Sequence, residues 1–205
     1  MLYEYVRFQT DDWRKAAHAA YDGVRRDAEP AGGALYGVWR AVIGAPVDQG
    51  VLMLAYPDPR AWAERRAGPR RYEGLALLDS ALLIPAARPE HGSTAAPDGL
   101  HAHRWFRIRP GSFQEFARLS EAGWWPVIEG DGARIQGLWA ARGGAAEGDA
   151  LLITRYESMA HWEATRYATP EARARLAPDA RRAMEQRGGL TLGSVVRVMR
   201  PVPPP

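Results

Sequence analysis

Apolar residues alternate with polar ones through YEYVRF, Tyr3 to Phe8, and the same two-residue period returns in HRWFRI, His103 to Ile108. Both stretches read as strands. Each is followed by a segment with helical spacing: Trp13, Ala16, Ala17, Ala20 and Val24 share one face, as do Phe113, Phe116, Ala117, Ser120 and Trp124. A second strand is expected from Leu35 to Ile43 and around Trp139, a third in VLMLAY and in ALLITRY, and a short fourth in ALLIP near Leu83 and in SVVRVMRP near Val196. A second helix precedes the fourth strand in both cases, opened by Asp58 with Pro59 in its first turn and by Ser158. Ser112 and Glu115, in PGSFQE, have the spacing of a capping box. A further helix is expected between Thr169 and Gly189.

These paired elements lie 100 positions apart without a gap. Arg7 falls on Arg107, Gly37 on Gly137, Trp39 on Trp139, Gly44 on Gly144, Leu52 on Leu152, Tyr56 on Tyr156 and Trp62 on Trp162. The chain therefore reads as a tandem duplication, with repeats over 1–86 and 102–205 joined by a linker over 87–101 rich in Pro, Gly and Ser. Each copy has the order β-α-β-β-α-β, the α+β ferredoxin-like unit. A four-stranded antiparallel sheet with helices on one face leaves its other face bare. Two tandem copies can cover both bare faces at once, by packing their sheets face to face as an intramolecular α/β barrel.

Composition narrows the function without naming it. A chain of 205 residues that is 46% hydrophobic, with eight Trp and eight Tyr, can bury a sizeable core. The absence of Cys excludes disulfides, thiolate nucleophiles and Cys-ligated metals, and fits a reducing, cytoplasmic setting. No apolar run approaches the roughly 20 residues of a membrane span, and the N-terminus has no signal-peptide layout. The formal charge is +3, and Lys15 is the only lysine. Arginine-rich, asparagine-free usage is that of a GC-rich, bacterial genome, and no basic block marks a nucleic-acid surface. There is no dinucleotide or phosphate loop, no G-x-S-x-G elbow and no H-E-x-x-H.

Three stretches of the second copy, RIRPGSFQEF, IQGLWAARGG and LLITRYESMAHWEATR, resemble the NIPSNAP family of the dimeric α/β-barrel superfamily. The first copy is similar through LYEYVRF, YGVWRAVIG and MLAYPDPRAWAERR, so the resemblance covers nearly all of the chain outside the linker. Two features depart from it. TDDW stands where the family has Pro-Gly ahead of the first helix, and the His-x-Trp before the third-strand Tyr is missing from both copies. The resemblance implies the barrel. Relatives in the superfamily range from cofactor-free monooxygenases and isomerases to haem proteins and binding modules, so it selects no reaction.

Strand alternation gives the candidate site. Val6, Phe8, Phe106 and Ile108 should face the helices, which turns Tyr3, Tyr5, Arg7, His103, Trp105 and Arg107 into the barrel. Such a lining suits a flat aromatic ligand with an acidic group; the competing reading is a core filled by aromatics, with arginines at the strand ends. Tyr156, at the end of the third strand, is a further binding candidate. His103 and His161 are the proton-transfer candidates, and the counterpart of His161 is Ala61. His91, His101 and His103 cluster in sequence without an acidic partner, and no metal site is assigned. Trp39, Trp139, Trp62 and Trp162 recur in both copies, which argues for packing.

The leading expectation is a small-molecule-binding protein needing no cofactor, either a cofactor-free enzyme of monooxygenase, isomerase or cyclase type or a ligand-binding module. The alternatives are an interaction protein with a filled barrel, or haem binding through His103 or His161. The expected partner is a small molecule rather than nucleic acid or membrane, bound by a monomer with an internal pseudo-dimer or by a homodimer.

Overall fold

In a computed structural model, which describes residues 1–68, 75–144 and 148–205, each half has the expected order. The first holds β1 (Leu2–Gln9), α1 (Trp13–Asp27), β2 (Ala34–Ile43), β3 (Gln49–Tyr56), α2 (Pro59–Ala67) and β4 (Ala76–Pro85). The second holds β5 (Leu100–Ile108), α3 (Phe113–Leu119), α4 (Trp125–Gly130), β6 (Arg134–Gly144), β7 (Asp149–Tyr156), α5 (Met159–Ala164), α6 (Pro170–Ala174), α7 (Pro178–Leu190) and β8 (Thr191–Pro201). The single extra helix expected after Thr169 is thus two, α6 and α7. A π-helical turn over Ser120–Trp124 joins α3 to α4. β5 begins at Leu100, inside the span read as linker. Among the described residues no helix is long and apolar enough to cross a membrane.

The eight strands form one closed antiparallel barrel in the order β1-β3-β2-β8-β5-β7-β6-β4. Each half contributes a four-stranded sheet with its first strand flanked by its third and, in the barrel, by a fourth strand. The halves are then sewn together twice, by β2 on β8, where Ala41 faces Met199, and by β4 on β6, where Ala81 faces Gly144. Closure consumes the edge hydrogen bonds that two separate sheets would leave exposed.

The duplicated glycines explain themselves at this point. Gly44 (φ 85°) and Gly144 (φ 87°) lie in the left-handed region, and a Cβ on either would run into the carbonyl oxygen of Val196 or of Ser80 on the opposite half. They mark the two seams. Gly37 and Gly137 share a face with the Trp two residues on, and the rings of Trp39 and Trp139 fold back over them, where a Cβ would fall 2.7 Å from Cζ2 in each case.

Side-chain alternation sorts the core into three layers. Inside the barrel Tyr3, Tyr5, Tyr36, Trp39, Trp105 and Trp139 pack with Met53, Leu83 and Ile153. Outside it, Val6, Phe8 and Leu52 bury against Ala16, Ala20 and Val24 of α1, and Phe106 and Leu152 against Phe116, Trp125 and Ile128. The caps follow their side chains. Asp58 accepts from the Ala61 amide at 2.8 Å and Ser158 from the His161 amide at 3.1 Å. The Ser112 hydroxyl makes no cap bond, so the expected capping box is not formed; Glu115 turns outward to Arg118 at 2.6 Å instead, a geometry its i+3 neighbour on the same exposed face favours.

Candidate functional site

The six inner-face positions divide into two groups. Tyr3, Tyr5, His103 and Trp105 gather inside the barrel, and Tyr3, Tyr5 and His103 are at most 1% exposed. The Tyr5 hydroxyl lies 3.1 Å from His103 Nδ1, and the Tyr5 ring meets Trp105 edge-on with centroids 5.3 Å apart. Two residues back along β5, the Trp39 indole donates to His101 Nδ1 at 3.0 Å, so His101 carries its proton on Nε2 and donates it to the Asp98 carbonyl at 3.1 Å. His101 and His103 do share a face, as their spacing predicts. Their nitrogens, however, serve Trp39, Asp98 and Tyr5.

Burial sets the protonation of this layer. It lowers His101 to about 4 and His103 well below the ordinary imidazole value, with the charges of neighbouring groups, Arg197 among them, adding to the effect on His103. It raises Tyr3 and Tyr5 to about 12, with Arg197 and Arg7 opposing the rise at Tyr5. The imidazoles and phenols of this aromatic layer are neutral at pH 7, and the Arg197 side chain lies beside them, opposite His103 in the strand register. His103 Nε2, Tyr3 Oη and Trp139 Nε1 are closed off in this layer without a hydrogen-bond partner.

The two arginines sit apart from that layer, at the barrel end. Arg7 bonds Asp79 at 2.8 Å and Gln49 at 3.0 Å, while Arg107 is exposed and lies opposite Asp149 in the strand register. Tyr156 and His161 are on the other side of the sheet altogether, their rings 5.7 Å apart and perpendicular. His161 is fully engaged: Nε2 donates to the Asp131 carbonyl at 2.9 Å and Nδ1 accepts from the Glu157 amide at 3.2 Å.

Near Tyr156 the second half opens into a cavity of about 630 Å³ between the outer face of β5, β7 and β8 and the covering helices. Phe106, Trp124, Tyr156 and Trp162 give it aromatic walls, and four arginines supply its charge: Arg104 from β5, Arg187 from α7, and Arg166 and Arg173 toward solvent. No Asp or Glu lines it among the described residues.

The deep pair is held by ring faces and hydroxyls. Arg187 lies over Phe116 and Phe106, 4.3 and 4.5 Å from their centroids, and donates through Nε to Ser120 Oγ at 2.7 Å. Ser120 in turn donates to the Phe116 carbonyl, four residues back, at 2.7 Å. Arg187 Nη2 is buried with no partner. Burial and then the charge of Arg104 bring Arg187 down to about 9. Burial also lowers Arg104, with Tyr156 opposing the change and Arg166 reinforcing it. Outside, Arg166 stacks over Trp162 at 5.1 Å and pairs with Glu163 at 2.9 Å, and Arg173 donates to the Tyr167 carbonyl at 3.0 Å. Tyr167 takes a positive φ of 47°, anchored by its hydroxyl on Asp131 and by an edge contact with Trp124.

Of the residues singled out in the sequence as site candidates, only Tyr156 lines this cavity. Arg104 and Arg187 were not among them. A signal for Arg104 was present: it interrupts the apolar run Phe106, Ile108 on the helix-facing side of its strand, and its counterpart 100 positions earlier is Glu4. Arg187 has no such signal, because α7 belongs to the segment that the first copy lacks.

A duplicated ferredoxin-like chain closed into one α/β barrel, with a helix-covered cavity in its second half, is a single-chain member of the α/β-barrel class. The NIPSNAP family model matches residues 102–204, half of the chain, and the chain belongs to that family. No curated protein matches its sequence. Among solved structures it is similar to a candidate monooxygenase from Fusobacterium nucleatum subsp. nucleatum ATCC 25586, at 12% identity and a TM-score of 0.62, covering 98% of this chain and 92% of that one. A candidate monooxygenase from Lactobacillus acidophilus NCFM is similar at 9% identity and a TM-score of 0.61, covering 98% and 93%. A heme-binding protein from Thermus thermophilus is similar at 14% identity and a TM-score of 0.55, covering 98% and 90%. Likeness at these identities is a likeness of fold.

Proposed function

We propose that this NIPSNAP-family protein binds a small molecule in the helix-covered cavity of its second half, while its barrel interior serves as structural core. The observation that carries the reading is the contrast between the two spaces. The barrel layer is filled by side chains packed on one another, whereas the cavity has the volume of a ligand site, aromatic walls and a few convergent polar groups. Binding is favoured over acid-base catalysis because, among the described residues, the lining holds no carboxylate and no histidine. His103 lies in the barrel, on the other face of β5, and both nitrogens of His161 are committed to backbone groups.

Haem finds no ligand among the same residues. Axial ligation through His103 or His161 does not fit, since neither ring lines the cavity and His161 would have to break two hydrogen bonds to turn. The similarity to a heme-binding protein therefore supports a ligand-holding fold and no particular group. Native mass spectrometry of the purified chain should show a bound species that leaves on denaturation. Bare chain in every preparation, together with no binding from a library of aromatic compounds, would count against the proposal.

A further inference from the structure

We propose that the ligand of this cavity is an aromatic carboxylate, its acid group held between Arg104 and Arg187 and its ring against Trp124, Trp162 and Phe106. This rests on the cavity being the ligand site, and it is argued from the protein's own first half. There the same architecture carries an acid of its own. Glu4 occupies on β1 the place of Arg104 on β5, and its side chain, 8% exposed, bonds Arg66 at 3.3 Å; Arg66 stacks over Trp62 at 5.3 Å as Arg166 stacks over Trp162 at 5.1 Å. A second acid, Asp27, pairs there with buried Arg65 at 3.4 Å. One hundred positions later Glu4 has become Arg104, Asp27 has become Val127 and Arg65 has become Thr165.

The second half has thus lost both internal carboxylates while keeping the Arg-on-Trp stack, and α7 adds a further guanidinium. Among the described residues neither Arg104 nor Arg187 has a carboxylate partner, and Arg187 Nη2 is a buried donor with nothing to donate to. Cations drawn together under cover without an anion are costly, and a carboxylate entering between them gains charge-assisted hydrogen bonds from groups already in place. Glu4 is the intramolecular stand-in for that carboxylate.

The test compares 2-naphthoate, the neutral isostere 2-naphthalenemethanol and inorganic phosphate, titrated calorimetrically into the full chain. The wild-type protein should bind naphthoate roughly 10- to 100-fold more tightly than the alcohol, and phosphate should compete only weakly. The variant Arg104→Glu rebuilds the first half's pairing with the arginine one helix away; it should fold with unchanged or raised Tm and lose the preference for naphthoate. Arg104→Met serves if the glutamate variant does not fold, with the same expected loss. Equal affinity for naphthoate and the alcohol, or a preference that survives both substitutions, overturns the carboxylate assignment while leaving the cavity reading intact. Phosphate as tight as naphthoate overturns the aromatic part. No binding of either aromatic compound, with native mass spectrometry also empty, sinks the cavity reading and this inference together.

Discussion

Moving from pH 7 to pH 5 should cost the protein about 2 kcal/mol of stability through His101 alone, with His103 adding in the same direction. The sign follows from burial. Both imidazoles are held neutral in the folded barrel, His101 at about 4, while the unfolded chain protonates near 6.5. Between those values the unfolded state binds more protons, so stability is fully present above about 6.5, falls as the pH drops, and stops falling from this source once the pH passes the folded value of about 4. Surface carboxylates such as Asp98, held low by Arg155, act only below that window. Against a typical total of about 5–15 kcal/mol, a loss of this size is large. Urea midpoints at pH 7 and pH 5 measure it, and His101→Gln should shrink the difference by the His101 share while leaving that of His103. Equal midpoints for the wild-type chain would contradict a neutral, sealed histidine layer.

Trp39→Ala should be the most destabilising single truncation, at about 3–5 kcal/mol, and should exceed Trp139→Ala by about 1 kcal/mol. The two rings are fully buried, fold over matched glycines and lie in the same interior cluster, so the cavity each leaves is closely comparable. Their hydrogen bonding differs. The Trp39 indole donates to His101 Nδ1 at 3.0 Å, whereas Trp139 Nε1 has no partner. Removing Trp39 therefore strands a buried acceptor as well as emptying space. Denaturant unfolding of both variants measures the difference, and Trp139→Ala being the worse of the two would show that the His101 bond contributes nothing. Trp→Phe at both positions isolates the bond, since much of the ring remains.

The scaffold was legible because duplication writes every scaffold residue twice. Gly37 and Gly137, Gly44 and Gly144, Trp39 and Trp139 each do one physical job at two equivalent places, and strand alternation correctly turned Tyr3, Tyr5, His103 and Trp105 inward. What alternation cannot say is whether an inward face encloses a ligand or fills itself. Tyr5 on His103 and Trp39 on His101 are partnerships across the barrel, between residues 98 and 62 positions apart, and no local pattern announces them. The cavity was hidden for a different reason. Its space comes from the covering helices, α5 to α7, and from a π-helical turn that the spacing of Phe113, Phe116 and Ser120 does not distinguish from an ordinary helix.

The same duplication also locates the asymmetry between the two halves. Positions that agree between the copies hold the barrel together. Those that disagree, Glu4 against Arg104, Asp27 against Val127 and Arg65 against Thr165, convert a closed ion-paired layer into an open cationic cavity. The tryptophans report on this directly, because Trp124 and Trp162 line the cavity, Trp39, Trp105 and Trp139 lie inside the barrel, and Trp62 occupies the first half's equivalent site. Indole N–H resonances followed by proton–nitrogen correlation NMR during titration with 2-naphthoate, or with the molecule that copurifies, test the account at its centre. The indole signals of Trp124 and Trp162 should move while those of Trp39, Trp105, Trp139 and Trp62 stay in place; movement confined to the barrel indoles would contradict it.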